Sequence, residues 1–234
     1  MLPGGLTLKV FKGENLQRLA KSELAAIAHC YAEVFNQSWG EDWTEESALV
    51  EIQKSFFIDP EREPEREPIA VLLYRGSDVV GFSWANFVQV EHINPERDMP
   101  FKLSFEEKVK GSQSSKQWLT GIQRVKRACM IRELGVLMEF RGALAAHLIL
   151  PIARIAAETG HNGIIYWTST ESRAFHLGVG VGWTPFTLFH DSTLVIMGGR
   201  ADSASSIMVK GIQSGREPEF IPEFNENIRR FFVH

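Results

Sequence analysis

Alternation and three-to-four-residue spacing of apolar positions divide the chain into strands and helices. Leu6, Leu8 and Val10 alternate with Thr7 and Lys9, the pattern of a half-buried strand over 6–11. A helix is predicted over 15–35, because Leu24, Ile27, Ala28, Tyr31, Val34 and Phe35 form one stripe of a 3.6-residue helix. Residues 36–43 read as a loop. Thr44 stands ready to N-cap a second helix, with Ala48, Leu49, Ile52 and Phe56 on one face and Glu45 and Glu46 at its positive end. Glu61-Arg62-Glu63-Pro64 repeats as Glu65-Arg66-Glu67-Pro68, a solvated loop in which proline bars both helix and sheet. A hairpin is predicted next, 69–74 and 79–90 around a turn at Arg75-Gly76-Ser77-Asp78.

The segment 91–126 is polar and poorly periodic, with one short helix expected near 105–110. Its Phe101, Leu103, Phe105, Trp118, Leu119 and Ile122 are too many apolar side chains for a free linker. It reads as an insertion that covers a cleft, as a fixed flap, or as a homodimer contact. Order then returns. A strand is predicted over 128–138, and a helix over 142–159 with Leu144, Leu148, Ile152 and Ile155 on one face and Gly160 as its stop. An apolar strand over 163–168 and a short helix over 172–181 follow. Strand, helix, strand of this length predicts a right-handed βαβ unit with parallel strands. Residues 184–189, 193–197 and 207–212 are candidate strands of open pairing, and a charged tail begins near 213. The fold class is α/β: one domain with a central mixed sheet, antiparallel first and parallel around 128–168, with helices on both faces.

Composition narrows the function. Of 234 residues, 44% are hydrophobic and 23% charged, with a net charge of -4, which suits a globular domain and disfavours a general nucleic-acid binder. The most apolar run, 144–157, is broken by Pro151 and Arg154 and falls short of the ~18 residues of a membrane span. The first residues lack the basic and apolar regions of a secretory signal. Cys30 and Cys129 have no metal-ligand spacing, nor do His29, His92, His147, His161 and His190. The expectation is a cytoplasmic protein with reduced thiols, no metal, no nucleic acid and no membrane. Gly-x-Ser-x-Gly is absent, which disfavours a serine hydrolase. The glycines at 178, 180 and 182 follow a helix, not a strand, and so are no dinucleotide loop.

The strand-to-helix turn at Arg141 and Gly142 aims backbone N–H groups and a positive helix end at an anion such as a phosphate. Its setting is informative. Arg132-Glu133-Leu134-Gly135-Val136, then Glu139-Phe140-Arg141-Gly142, then helix, strand, helix and Gly182-Trp183, resembles the Gcn5-related N-acetyltransferase (GNAT) superfamily over residues 128–184. Tyr31-Ala32-Glu33-Val34-Phe35 with Trp39-Gly40-Glu41 and Trp43-Thr44 is similar to that family's two-helix start, and Val79-Val80-Gly81-Phe82 to its strand before the core.

The resemblance implies a splayed parallel strand pair and acetyl-CoA as cosubstrate, from which an acetyl group passes to an amine by direct attack. It implies that backbone groups of Val136 and Met138 hold the pantetheine arm, and that Arg141, Gly142, Ala143, Leu144, Ala145 and Ala146 form the pyrophosphate turn. The family's first turn glycine is here Leu144, while Ala146 is a permitted replacement. A side chain at that glycine stands in the way of phosphate oxygens that must come within ~3 Å of backbone nitrogen. The family's leaving-group tyrosine slot holds Gly178, with His176 two residues earlier as a substitute acid. Glu133 is the expected base, or else the partner of a neighbouring cation, and Trp39, Trp43 and Trp84 are candidates for the acceptor wall. The acceptor is a small-molecule or peptide amine. Two competing functions follow from Leu144 and Gly178: transfer from carrier-protein-bound pantetheine, and a catalytically silent acyl-CoA-binding or scaffold module.

Overall fold

The computed structural model describes residues 2, 4–58, 66–89, 126–141, 144–188 and 194–202, with 184–188 and 194 described by their backbone. The elements are β1 (Leu6–Lys12), α1 (Glu14–Gln17), α2 (Lys21–Trp39), α3 (Glu45–Phe56), β2 (Glu67–Arg75), β3 (Asp78–Gln89), β4 (Arg127–Val136), α4 (Leu144–Glu158), β5 (Gly163–Ser169), α5 (Arg173–Gly180), β6 (Thr184–Leu188) and β7 (Leu194–Arg200). They build one mixed sheet in the order β1-β2-β3-β4-β5-β7-β6. Only β4 and β5 pair parallel within it; the other described pairings are antiparallel.

The expected helix over 15–35 is two helices. The chain breaks at 18–20, and α2 runs on to Trp39, into the segment predicted as loop. It stops where Gly40 turns left-handed at φ 65° and sends its N–H to the Asn36 carbonyl. The Asn36 side chain then brackets the Trp43 backbone, donating to its carbonyl at 2.9 Å and accepting its N–H at 2.7 Å. α3 begins as expected at Thr44. Its hydroxyl accepts the Ser47 N–H at 3.1 Å, and Ser47 accepts the Thr44 N–H at 3.0 Å.

β2 starts at Glu67, so Pro68 belongs to the strand; a proline near a strand's start leaves the ladder intact. The hairpin turn is Gly76-Ser77, with Gly76 at φ 63°. β4 ends at Val136, two residues earlier than expected, and Met138–Phe140 forms a single 3-10 turn. α4 ends at the predicted glycine: Gly160 has φ 78°, and the N–H of His161 reaches the Ala156 carbonyl at 2.8 Å. β7 lies between β5 and β6, an order that the pattern left open because edge and inner strands alternate alike. The 91–126 insertion up to residue 125, the 207–212 strand and the tail from 213 lie outside the described residues.

The two sheet faces carry different layers. Phe82 and Trp84 stack against Tyr31 of α2, and Phe56 of α3 meets Trp84 edge-on. One residue out of phase, Phe87 stacks on His161 beyond α4, and Gly81 lies within reach of Leu148. Helices α2 and α3 therefore cover one face and α4 the other. Tyr166 donates to the Ala174 carbonyl at 3.1 Å, which puts α5 on the α4 face, since the register from Phe87 through Cys129 and Ile164 reaches Tyr166 by alternation. Cys30 and Cys129 are free and buried.

Candidate active site

Parallel pairing between β4 and β5 covers Ala128 to Met130 against Gly163 to Ile165 and then stops, while both strands continue. Beyond Met130 the strands splay. Every second residue of the rest of β4 turns its N–H and C=O away from β3, toward the opening, where no strand among the described residues partners them. This is the mouth of a cleft lined by backbone donors and acceptors.

A β-bulge sits at its entrance. Trp84 pairs with Glu133 and Ala85 with Ile131, so Arg132 is an extra residue on β4. The extra residue shifts the phase of the strand. Without it Arg132 would oppose Trp84 and Glu133 would face α4; with it Glu133 stands opposite Trp84 on the α2 face. Arg132 leans across the splay, its guanidinium 5.0 Å from the centre of the half-buried Trp167 ring of β5.

Glu133 is half-buried, and its carboxyl is pushed up to about 8, first by burial and then by the charges of Glu51 and Glu41. The charge of Arg132 and the nearby Tyr31 phenol act the other way, favouring the ionised form. Of the cations expected beside it, Arg132, Arg127 and Lys126, Arg132 is the one whose charge acts on this carboxyl. The carboxylate of Glu41 accepts from the Trp43 indole, and Trp43 packs edge-on against Tyr31 at 5.0 Å. Of the expected acceptor wall, Trp43 fits and is half-buried. Trp84 is a core residue, 1% exposed, and Trp39 is surface, 48% exposed. The Trp84 indole nitrogen is a buried donor without a hydrogen-bond partner among the described residues.

The opposite face differs. Val136 is buried at the end of β4, and its carbonyl accepts a long contact from Arg141 Nε at 3.4 Å. The Arg141 guanidinium also donates to Ser38 Oγ at the end of α2, so this side chain turns back across the end of β4. Met138 is exposed in the 3-10 turn. Gly142 and Ala143 lie outside the described residues. Leu144 opens α4 and is 7% exposed, packed in the core with Ala146, while Ala145 is half-buried.

In α5 the side chain of Ser172 accepts the Phe175 N–H at 3.2 Å and caps the helix. A Cβ at Gly178 would lie 1.9 Å from the Tyr166 hydroxyl. The room for a helix tyrosine is thus already taken by a strand tyrosine, which is why glycine stands there. Burial holds the Tyr166 phenol protonated well above its ordinary range. His176 is half-buried beside Phe175, and burial lowers its proton affinity, leaving the ring neutral near pH 7. Glu133 and His176 therefore lie on opposite faces of the sheet, and only the splay connects them. Tyr31 and Tyr166 drew no role from the sequence; each falls on a regular apolar stripe, and the hydroxyl alone distinguishes it from its aromatic neighbours.

No group of three or more His, Cys, Asp or Glu side chains suited to a metal occurs among the described residues. No helix there is long and apolar enough to cross a membrane.

The described strands in one mixed sheet, with α2 and α3 on one face, α4 and α5 on the other and a parallel pair that splays at a bulge, are similar in fold to solved structures of Gcn5-related N-acetyltransferases. The chain is similar to an acyl-CoA N-acyltransferase from Pseudomonas aeruginosa, with 11% identity over 82% of this chain and 98% of that one at a TM-score of 0.51. A putative GNAT-family acetyltransferase from Desulfovibrio desulfuricans matches at 8% identity and a TM-score of 0.50, covering 83% of this chain and 99% of the other. An acetyltransferase from Streptococcus agalactiae matches at 12% identity and a TM-score of 0.50, covering 84% and 99%. No family's sequence profile and no curated protein sequence matches the chain. At these identities the likeness is one of fold, and function has to be argued from the site.

Proposed function

We propose that this protein is an acyl-CoA-dependent acyltransferase that moves a small acyl group, acetyl first among them, onto an amine. The observation that carries the reading is Glu133, a half-buried carboxyl with raised proton affinity at the mouth of the splay. The acyl thioester lies along the free backbone edge of β4 beyond Met130. The acceptor amine approaches from the α2 face, past Trp43. Glu133 takes one of its protons, directly or through water; the nitrogen attacks the carbonyl carbon, the C–N bond forms, the C–S bond breaks, and the thiolate leaves toward α5. A carboxyl titrating near 8 exchanges protons with an amine at little cost, which is what a general base near neutral pH requires. A thiol of pKa about 8.5 leaves without obligatory acid help, so Gly178 in place of a tyrosine slows the step without forbidding it.

A second reading rests on Leu144. With that side chain in the core at the start of α4 and Arg141 turned back, two of the expected turn residues are engaged within the protein, and a pantetheine on a carrier protein would serve equally. Rates with acetyl-CoA and with acetyl-pantetheine, across a panel of primary amines, test both. Turnover with acetyl-CoA well above that with acetyl-pantetheine supports the first reading, and equal rates support the second. No turnover with either donor, carrier-bound donors included, leaves a silent binding module.

A further inference from the structure

Parallel backbone pairing stops at Met130 and Ile165, and the next rung across the opening is made of side chains. Arg132 and Trp167 each stand two residues further along their strands, and the Arg132 guanidinium lies 5.0 Å from the centre of the Trp167 ring. The same guanidinium donates to the Met130 sulfur at 3.7 Å, so it is held from below as well as from across the gap. Both residues of this bridge are half-buried, where a cation on an aromatic face is worth more than at an exposed site. Beneath it Met130 is fully buried and Ile165 is 4% exposed, so the bottom of the splay is filled. The bulge lets two neighbouring residues share a face: Glu133 opposes Trp84 there, and Arg132 meets Trp167, which alternation from Tyr166 also turns toward α2.

We propose that Arg132 and Trp167 set the acyl length that the splay accepts: their bridge closes the cleft to donors longer than acetyl and propionyl. On the acyltransferase reading, on which this proposal rests, the donor lies along β4 with its pantetheine arm toward Val136 and α4. Its acyl end then points down the splay toward Met130, with the carbonyl carbon beside Glu133, one residue above the bridge. An acetyl methyl ends there. A longer chain has two ways on. One runs between β4 and β5, where backbone pairing and the buried Met130 and Ile165 leave no groove. The other turns out across the α2 face, where the guanidinium and the indole stand. A chain that takes this way separates the cation from its ring and sets an alkyl group against a charge.

The test is the binding of unreactive thioethers, S-ethyl-, S-propyl- and S-hexyl-coenzyme A and the matching pantetheine compounds, by isothermal titration. In an open apolar groove each added CH2 gains about fourfold in affinity. Wild type should gain nothing beyond propyl and should bind the hexyl compounds about tenfold more weakly than the ethyl ones. Arg132→Ala removes the bridge and should reverse the order, with hexyl tighter than ethyl by about tenfold or more. Trp167→Leu removes the ring from the other strand and should reverse it too, which decides the matter if Arg132→Ala fails to fold. Arg132→Lys keeps a cation that can lie on the ring and should keep the wild-type order. Affinity that climbs steadily from ethyl to hexyl in wild type, or an order unchanged in the alanine and leucine variants, overturns the proposal and leaves the acyltransferase reading standing. Wild type that binds none of these compounds overturns that reading as well.

Discussion

The two faces of the sheet handle polar groups in opposite ways. On the α2 face, the half-buried Glu133 stands beside Tyr31, whose ring packs on Trp43, which in turn donates to Glu41. On the α4 face, where the resemblance implied a phosphate turn and a helix tyrosine, there are Leu144 in the core and Gly178 against a strand tyrosine. Burying an organised polar set costs stability and persists where it does something. Substituting leucine and a close-packed glycine for polar machinery gains packing. Under the proposed acyltransferase reading, the contrast puts the work at the thioester end of the donor and on the acceptor side.

Several substitutions separate the faces. Leu144→Gly has the largest expected effect, on stability: emptying a buried leucine site should cost about 3 kcal/mol or more, read by chemical denaturation. If stability is unchanged and CoA binds more tightly, Leu144 is an obstruction in the turn and the contrast weakens. Glu133→Gln should leave the fold intact and lower turnover by roughly 10², flattening the acidic limb of the pH–rate profile. Gly178→Ala should destabilise by about 1–3 kcal/mol through contact with Tyr166, and Tyr166→Phe in the same chain should restore part of the loss. Should Gly178→Ala prove neutral, the helix has room for a side chain and the account of that glycine fails.

A separate effect is one of pH. The Glu133 carboxyl titrates higher in the folded chain, near 8, than its ordinary value of 4.5. The folded state therefore binds the extra proton between these values, and stability falls as pH rises through that window. Wild type should lose melting temperature between about pH 5 and pH 9 relative to Glu133→Gln; parallel curves would mean that Glu133 is solvated like any surface carboxylate.

Much of the fold was legible because periodic stripes and punctuation agreed: Thr44, Gly160 and the Gly76 turn fall where expected. The candidate base Glu133 stood out as a charge in an apolar strand. What the sequence concealed were displacements of a single residue. The bulge at Arg132 reverses which face Glu133 occupies, yet a strand with one extra residue has no signature in composition or spacing. The break at 18–20 lies before the stripe that begins at Leu24, and no glycine or proline marks it. Tyr31 and Tyr166 read as core because their rings are core; only contacts tell what the hydroxyls do.

The central claim is that the acyl donor lies in the splay, along β4 beyond Met130. Backbone amide NMR during a titration with CoA tests it most directly. The account predicts the largest shift changes at Leu134 and Val136 of β4 and at Trp167 of β5, with smaller changes at Ala145 and Ala146 at the start of α4. Saturable changes confined to residues away from β4 and β5, or none at millimolar CoA and pantetheine alike, would contradict it.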